Sequence, residues 1–164
     1  MKSKTLLLAL IGEGALLLVV GAIGWAVRLP LLFASLGPTA YELVEKPSSR
    51  SSRTYNIIVG HFVALGCGFF SLWALSAWNV PKVFSADMVS LPRLWAAVLA
   101  AALTAVLILS LKAGQPAALA TSLLVSLGLV QTARDALAVV IAVLILAAIG
   151  EPVRRLSLRL GVKE

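Results

Sequence analysis

The chain has 164 residues, of which 60% are hydrophobic and only 13% charged, with a mean hydropathy of +1.01. A soluble domain of this length has too little interior to hide so much apolar surface, which excludes a water-soluble globular fold. The net charge of +7 sits almost wholly at segment ends. That placement excludes the solvated basic face of a nucleic-acid-binding protein and reads instead as topology signals and lipid-headgroup anchors.

The first apolar segment runs from about Thr5 to Val27, roughly 35 Å as a helix and ample for one span. Lys2 and Lys4 precede it as in a signal peptide. The apolar run is too long for a signal core and no polar mature domain follows, so an uncleaved first helix is expected. Glu13, in Gly12-Glu13-Gly14, falls near mid-depth. A carboxylate there costs a few kcal/mol by insertion scales and belongs to a cavity or a partner. Glu13 is therefore a candidate gate or proton-relay residue, or else a hydrogen-bonded carboxyl packed between helices, and the flanking glycines permit close backbone approach.

Segment two, Leu29 to Val44, follows Arg28 with almost no loop and is interrupted at Gly37-Pro38. A polar linker, Glu45 to Arg53, leads to segment three, about Tyr55 to Trp78. This segment carries His61, the only histidine, and Cys67, the only cysteine. One cysteine rules out an intrachain disulfide, and a buried thiol is expected. His61 suits proton coupling or a hydrogen bond to a permeating anion, and equally a bond between helices. The longest polar connection, Asn79 to Pro92, precedes segment four (about Leu94 to Leu111), segment five (Pro116 to Val130) and segment six (Ala133 to Ile149). A basic cytoplasmic tail, residues 151–164 with Arg154, Arg155, Arg159 and Lys163, follows. Thr132-Ala133-Arg134-Asp135 has the form of a capping box that restarts segment six after a tight turn.

The order long, short, long is thus given twice within a single transmembrane domain, repeat 1 covering about 5–78 and repeat 2 about 94–150. Three crossings per repeat would insert the second upside down relative to the first. The expected fold is all-α: six transmembrane elements as two inverted three-element repeats, each with a short broken helix. Charge supports six crossings, placing ten of the 14 Lys and Arg inside and four outside. Re-entrant segments two and five would give eight and six, so the positive-inside rule favours the former. Both arrangements put the termini in the cytoplasm, with a bacterial inner membrane as the expected location.

The two interruptions, Leu36-Gly37-Pro38-Thr39-Ala40 and Gly114-Gln115-Pro116-Ala117-Ala118, occupy matching places. Proline fits the first turn of a helix, where amides lack intrahelical acceptors, and such a start presents free N–H groups and the positive dipole end. In lipid, an interrupted helix survives only where protein or a wet cavity receives it. Helix starts of this kind, facing each other near the midplane, could hold a small anion on backbone amides at Thr39-Ala40 and Ala117-Ala118. Gln115 and Thr121 add neutral donors. Glu42, one turn after Pro38, suits the N-terminal dipole of its own helix. Arg28 and Lys112 could attract anions electrostatically, or snorkel to headgroups. One histidine, one cysteine and no clustered carboxylates give no metal site, no cofactor site and no catalytic triad, so an enzyme is not expected.

Phe33-Ala34-Ser35-Leu36-Gly37-Pro38-Thr39-Ala40-Tyr41, followed after a polar linker by Asn56-Ile57-Ile58-Val59-Gly60-His61, resembles the HPP family of small membrane proteins. Gly114-Gln115-Pro116-Ala117-Ala118, Ser126-Leu127-Gly128-Leu129-Val130 and Thr132-Ala133-Arg134-Asp135 agree, so the likeness spans roughly Leu31 to Gly150. Where the family signature reads His-Pro-Pro, this chain has Gly114-Gln115-Pro116, with Gln115 in place of the signature histidine. The resemblance implies a transporter or channel-like role, and some plastid and cyanobacterial relatives are associated with nitrite transport. The expected function is therefore transport of a small monovalent anion such as nitrite. Two alternatives stand beside it: a proton-coupled carrier of a small organic solute using Glu13 and His61, and a membrane subunit with no transport of its own. The expected partners are the lipid bilayer and the anion. Six short elements leave much flank uncovered, so a homodimer or homotrimer is expected.

Overall fold

A computed structural model of the chain describes residues 2–86 and 88–159; side chains at 2–9, 84 and 86 lie outside that description, as does Lys163 of the expected tail. The described residues are helical, with no strand: α1 (Lys2–Val27), α2 (Leu36–Glu45), α3 (Thr54–Ala74), the single turn α4 (Val83–Ala86), α5 (Leu91–Ser110), α6 (Pro116–Ser126) and α7 (Ala133–Arg159). Four of them, α1, α3, α5 and α7, are long and apolar enough to cross a membrane. At 10 and 11 residues, α2 and α6 reach only about 15 to 17 Å.

Three boundaries depart from the sequence reading. The expected second segment, Leu29 to Val44, is helical only from Leu36; residues 29–35 run as irregular chain. The break therefore lies before Pro38, which occupies the third helical position, where its missing N–H has no intrahelical acceptor to lose. The expected tail is helical to Arg159, straight through Pro152. Glu151 holds that extension: its carboxylate accepts from Arg154 at 2.9 Å and Arg155 at 2.8 Å, pairs at i+3 and i+4 on one helical face. Arg154 also donates to the Pro47 carbonyl at 3.0 Å, tying α7 to the α2–α3 linker. Finally, α3 stops at Ala74, four residues short of Trp78, where Ser76 at φ 49° turns the chain.

The long first helix of each half ends alike. Arg28 (φ 54°) and Lys112 (φ 53°) both take the left-handed conformation just past α1 and α5. Each is framed by the same pair of bonds, Leu29 N–H to Gly24 O with Arg28 N–H to Trp25 O, and Ala113 N–H to Ile108 O with Lys112 N–H to Leu109 O. This is a Schellman closure, and a cation beside the negative end of each helix dipole favours it. The capping box before α7 forms as expected: Asp135 N–H donates to the Thr132 hydroxyl at 3.1 Å, and Thr132 N–H donates back to the carboxylate at 3.0 Å.

Packing also pairs the halves. α2 packs on α1 and α7, while α6 packs on α5 and α3; α1 meets α7 as α5 meets α3; α3 and α7 meet each other. Exchanging the halves maps this pattern onto itself, each half lending its third helix to the other's short one. Close approach uses glycine in both places. A Cβ at Gly68 of α3 would stand 2.6 Å from Val125 Cβ of α6, and Gly150 of α7 receives Leu43 of α2.

Polar contacts sort the helix ends into two groups. At one, called here the proximal end, Thr54 of α3 donates to Glu151 at 3.2 Å, Tyr55 donates to Leu111 O after α5 at 3.2 Å, and Arg154 reaches Pro47 O. At the distal end, Arg134 of α7 donates to Arg28 O after α1, and Arg93 of α5 joins the exits of α3 and α6. The stretch of residues 29–45 thus runs from distal to proximal end and 111–126 runs back, while both described termini lie at the proximal end.

Arg93 is an exception to the reading of the cations as topology signals and headgroup anchors. It is fully buried, and among the described residues no carboxylate pairs with it. Its guanidinium donates to Ser126 O at 3.0 Å and Val80 O at 2.7 Å, and the Gln131 side-chain amide lies beside it, where the oxygen is the end able to accept. The charge is spent on the Ser126 carbonyl at the end of α6, where the helix dipole is negative, and on the Val80 carbonyl in the connection after α3.

Candidate functional site

His61 is the centre of the buried polar groups. Its α3 position faces α2 on one side and α6 on the other, and the residue is fully buried. Nε2 lies 3.1 Å from Thr39 Oγ1 on α2, and Nδ1 lies 2.7 Å from Thr121 Oγ1 on α6. The direction of each bond follows from proton counting. Thr39 has one hydroxyl hydrogen, and it goes to Ser35 O at 3.0 Å, one turn back on α2. Thr39 Oγ1 must then accept from Nε2–H. In the neutral ring Nδ1 is then the acceptor of the Thr121 hydroxyl, and both ring nitrogens are satisfied without a charge.

These bonds also fix how the short helices lie. Thr39 and Thr121 share His61, while Glu42, one turn further along α2, lies against Gln115, the residue just before α6. Running 39 to 42 on one helix therefore matches 121 to 115 on the other: α2 and α6 pass side by side, antiparallel, and their N-termini do not face each other. Starting α2 at Leu36 also commits the Thr39 amide to Ser35 O and the Ala40 amide to Leu36 O. The Ala118 amide donates to Gln115 O at 3.0 Å. Among the non-proline residues in the first turns, Gly37 and Ala117 are left by position as the orphan donors. Pro38 and Pro116 face outward, whereas Thr39, Ala40, Ala117 and Ala118 are buried.

Gln115 is the anomaly. It precedes α6 in extended conformation (φ −141°, ψ 101°), and its side chain caps nothing. It packs on α3 where only glycine admits it, since a Cβ at Gly60 would stand 2.9 Å from Gln115 Cβ. The residue is 0% exposed, yet neither its amide oxygen nor its amide nitrogen has a hydrogen-bond partner. Asn56, one turn before Gly60, donates to Gly114 O at 3.1 Å and steadies the irregular chain leading into α6.

Glu42 joins this group unforeseen in that role. As the seventh residue of α2 it belongs to the C-terminal half, so the expected match to the helix's own N-terminal dipole does not arise. Its carboxyl is half-buried against the side chains of Ser51 and Gln115, with one oxygen buried and unpartnered. Ser52 anchors the same corner by donating to the Glu42 and Lys46 carbonyls.

The remaining predicted residues lie elsewhere. Glu13 is half-buried on α1, which packs on α2 and α7, and makes no hydrogen bond among the described residues. It has no bond to His61, whose ring nitrogens are both taken. Arg28 is exposed at the distal end and Lys112 at the proximal end. Among the described residues, no three His, Cys, Asp or Glu side chains come together as a metal site.

Apolar spanning helices folded around a buried polar seam define a polytopic helical membrane protein. A family model for the HPP transmembrane region matches residues 1–157, and the chain belongs to the HPP family. No curated protein and no solved structure matches it.

Proposed function

We propose that this protein is a transporter of a small monovalent anion such as nitrite, received where α2, α3 and α6 meet. The observation that carries this reading is the Gln115 amide, buried without a partner at the start of α6. Leaving such a group unsatisfied costs about 1–3 kcal/mol, and folded proteins keep such groups where a water, ion or ligand completes them. The amide nitrogen supplies two donors on the residue that precedes α6, whose N-terminal dipole end is positive, a setting that suits a compact anion. Membership of a transporter-like membrane family supports the reading.

The proposal includes six crossings in two inverted halves, with both termini cytoplasmic in a bacterial inner membrane. It is supported by the distal-to-proximal course of residues 29–45, its return over 111–126, and the basic residues gathered at the proximal end. It also includes a homodimer or homotrimer, since only 17% of the Leu10–Val27 span is buried in one chain.

Flux through liposomes made from this chain alone tests the reading. Nitrite uptake should exceed that of protein-free vesicles, and Gln115→Leu should lower it about tenfold or more, as expected for losing a hydrogen bond to a charged ligand. Wild-type vesicles that move neither nitrite nor nitrate nor formate would overturn the proposal in favour of a non-transporting subunit.

A further inference from the structure

We propose that Glu42 carries a proton with the anion: the Gln115 amide takes an anion only while the Glu42 carboxyl is protonated, so each anion moves with one proton. The inference rests on reading the Gln115 site as the anion site. The geometry behind it is that Glu42, with a buried unpartnered oxygen, lies against the same amide that an anion would occupy.

An ionised carboxylate and a bound anion cannot share that amide cheaply. Both are negative, the Gln115 side chain is fully buried, and like charges close together in a poorly polarisable setting hold one site in its protonated form. The protonated carboxyl removes the conflict and reverses its sign. Its O–H can donate to the anion from one side while the Gln115 N–H2 donates from the other, which satisfies the unpartnered Glu42 oxygen and the Gln115 nitrogen. Position favours the exchange as well, since the C-terminal half of α2 disfavours a fixed negative charge.

The groups around Glu42 leave it free for this role. From α6 it meets Gln115, and from the following linker Ser51. Its own helix offers Glu45, which also has a buried unpartnered oxygen, and Lys46, exposed just past the helix end, acts on it only at a distance. From α7, Arg154 and Arg155 are engaged with Glu151, and Arg154 also with Pro47 O. From α1, Gly12 packs on Val44, with the half-buried Glu13 beside it. Among the described residues no cation forms an ion pair with Glu42. His61, the other titratable group in the seam, already has both nitrogens bonded to threonines and so needs no proton. The proton comes from water at the proximal end, where Glu42 is half-exposed, and is held on its carboxyl while the anion is bound. It leaves with the anion, and no covalent bond changes.

Full-length protein in lipid nanodiscs, weakly buffered and titrated with sodium nitrite, tests this directly. Wild type should take up about one proton per nitrite bound, and its apparent Kd should rise about tenfold per pH unit once Glu42 is ionised in the empty site. Infrared difference spectra should show a protonated-carboxyl band on adding nitrite. Glu42→Gln should bind with an affinity that no longer depends on pH, without proton uptake and without the band. Nitrite binding to wild type without proton uptake, or a wild-type pH slope in Glu42→Gln, would overturn the coupling while leaving the anion site standing. Should Glu42→Gln fail to fold, absence of the nitrite-induced band in wild type overturns the coupling by itself. Wild type that binds no nitrite at any pH overturns the anion site and the coupling together.

Discussion

At the scale of single residues, the bridge through His61 makes a sharp demand on its two threonines. Thr121→Val keeps the shape but leaves Nδ1 buried without a donor, at a cost of about 1–3 kcal/mol. Thr121→Ser keeps the hydroxyl and should recover most of that loss. Thermal unfolding in detergent should therefore rank wild type, then Thr121→Ser, then Thr121→Val; equal melting of the two variants would mean the bond contributes nothing. His61 stood out in the sequence as the only histidine, but its role did not. A ring that bridges two helices and a ring that carries protons look alike until its partners are known. Glu42 was misplaced for a related reason. Its meaning depends on which end of α2 it occupies, and a proline only limits where a helix can begin.

For the elements, what matters is how closely they approach. Gly68 of α3 faces Val125 Cβ at 2.6 Å, whereas Gly66, two residues earlier, has nothing within 4 Å. Gly68→Leu should therefore force α3 and α6 apart and destabilise by about 1–3 kcal/mol or more, while Gly66→Leu should be nearly silent. Comparing the two melting temperatures separates packing from helix propensity, which is the same in both. The long helices were readable from apolar runs, because any span must be apolar over about 20 residues. The capping box before α7 was readable too, because its bonds are local and its spacing is fixed. The start of α2 and the passage of α7 through Pro152 were not. The first depends on a neighbouring helix tolerating irregular chain, and the second on Glu151 meeting two arginines and Thr54.

Across the whole molecule, the six-crossing proposal predicts opposite exposure of the two linkers. In a Cys67→Ala background, single cysteines at the exposed positions Ser48 and Ser85 should label from opposite faces of the membrane. Labelling of both from one face would mean that α3 does not cross, and the inverted arrangement would fall. The exchange symmetry of the packing could not be read from residue identities, which barely agree between the halves. It lies in which surfaces meet: α2 against α7 and α6 against α3.

By itself the sequence determined a helical membrane protein, its four long apolar helices, two short apolar helices at matching places, and membership of the HPP family. Each follows from something local: apolar content against the thickness of a bilayer, proline chemistry, or a short motif. Only the tertiary structure decided that the short helices pass antiparallel instead of meeting end to end, that His61 bridges two threonines, and that Glu42 and Gln115 face one another. Those facts depend on contacts between residues 22 to 73 positions apart, and an apolar helix carries too few distinctive side chains to say which of its faces will meet which neighbour.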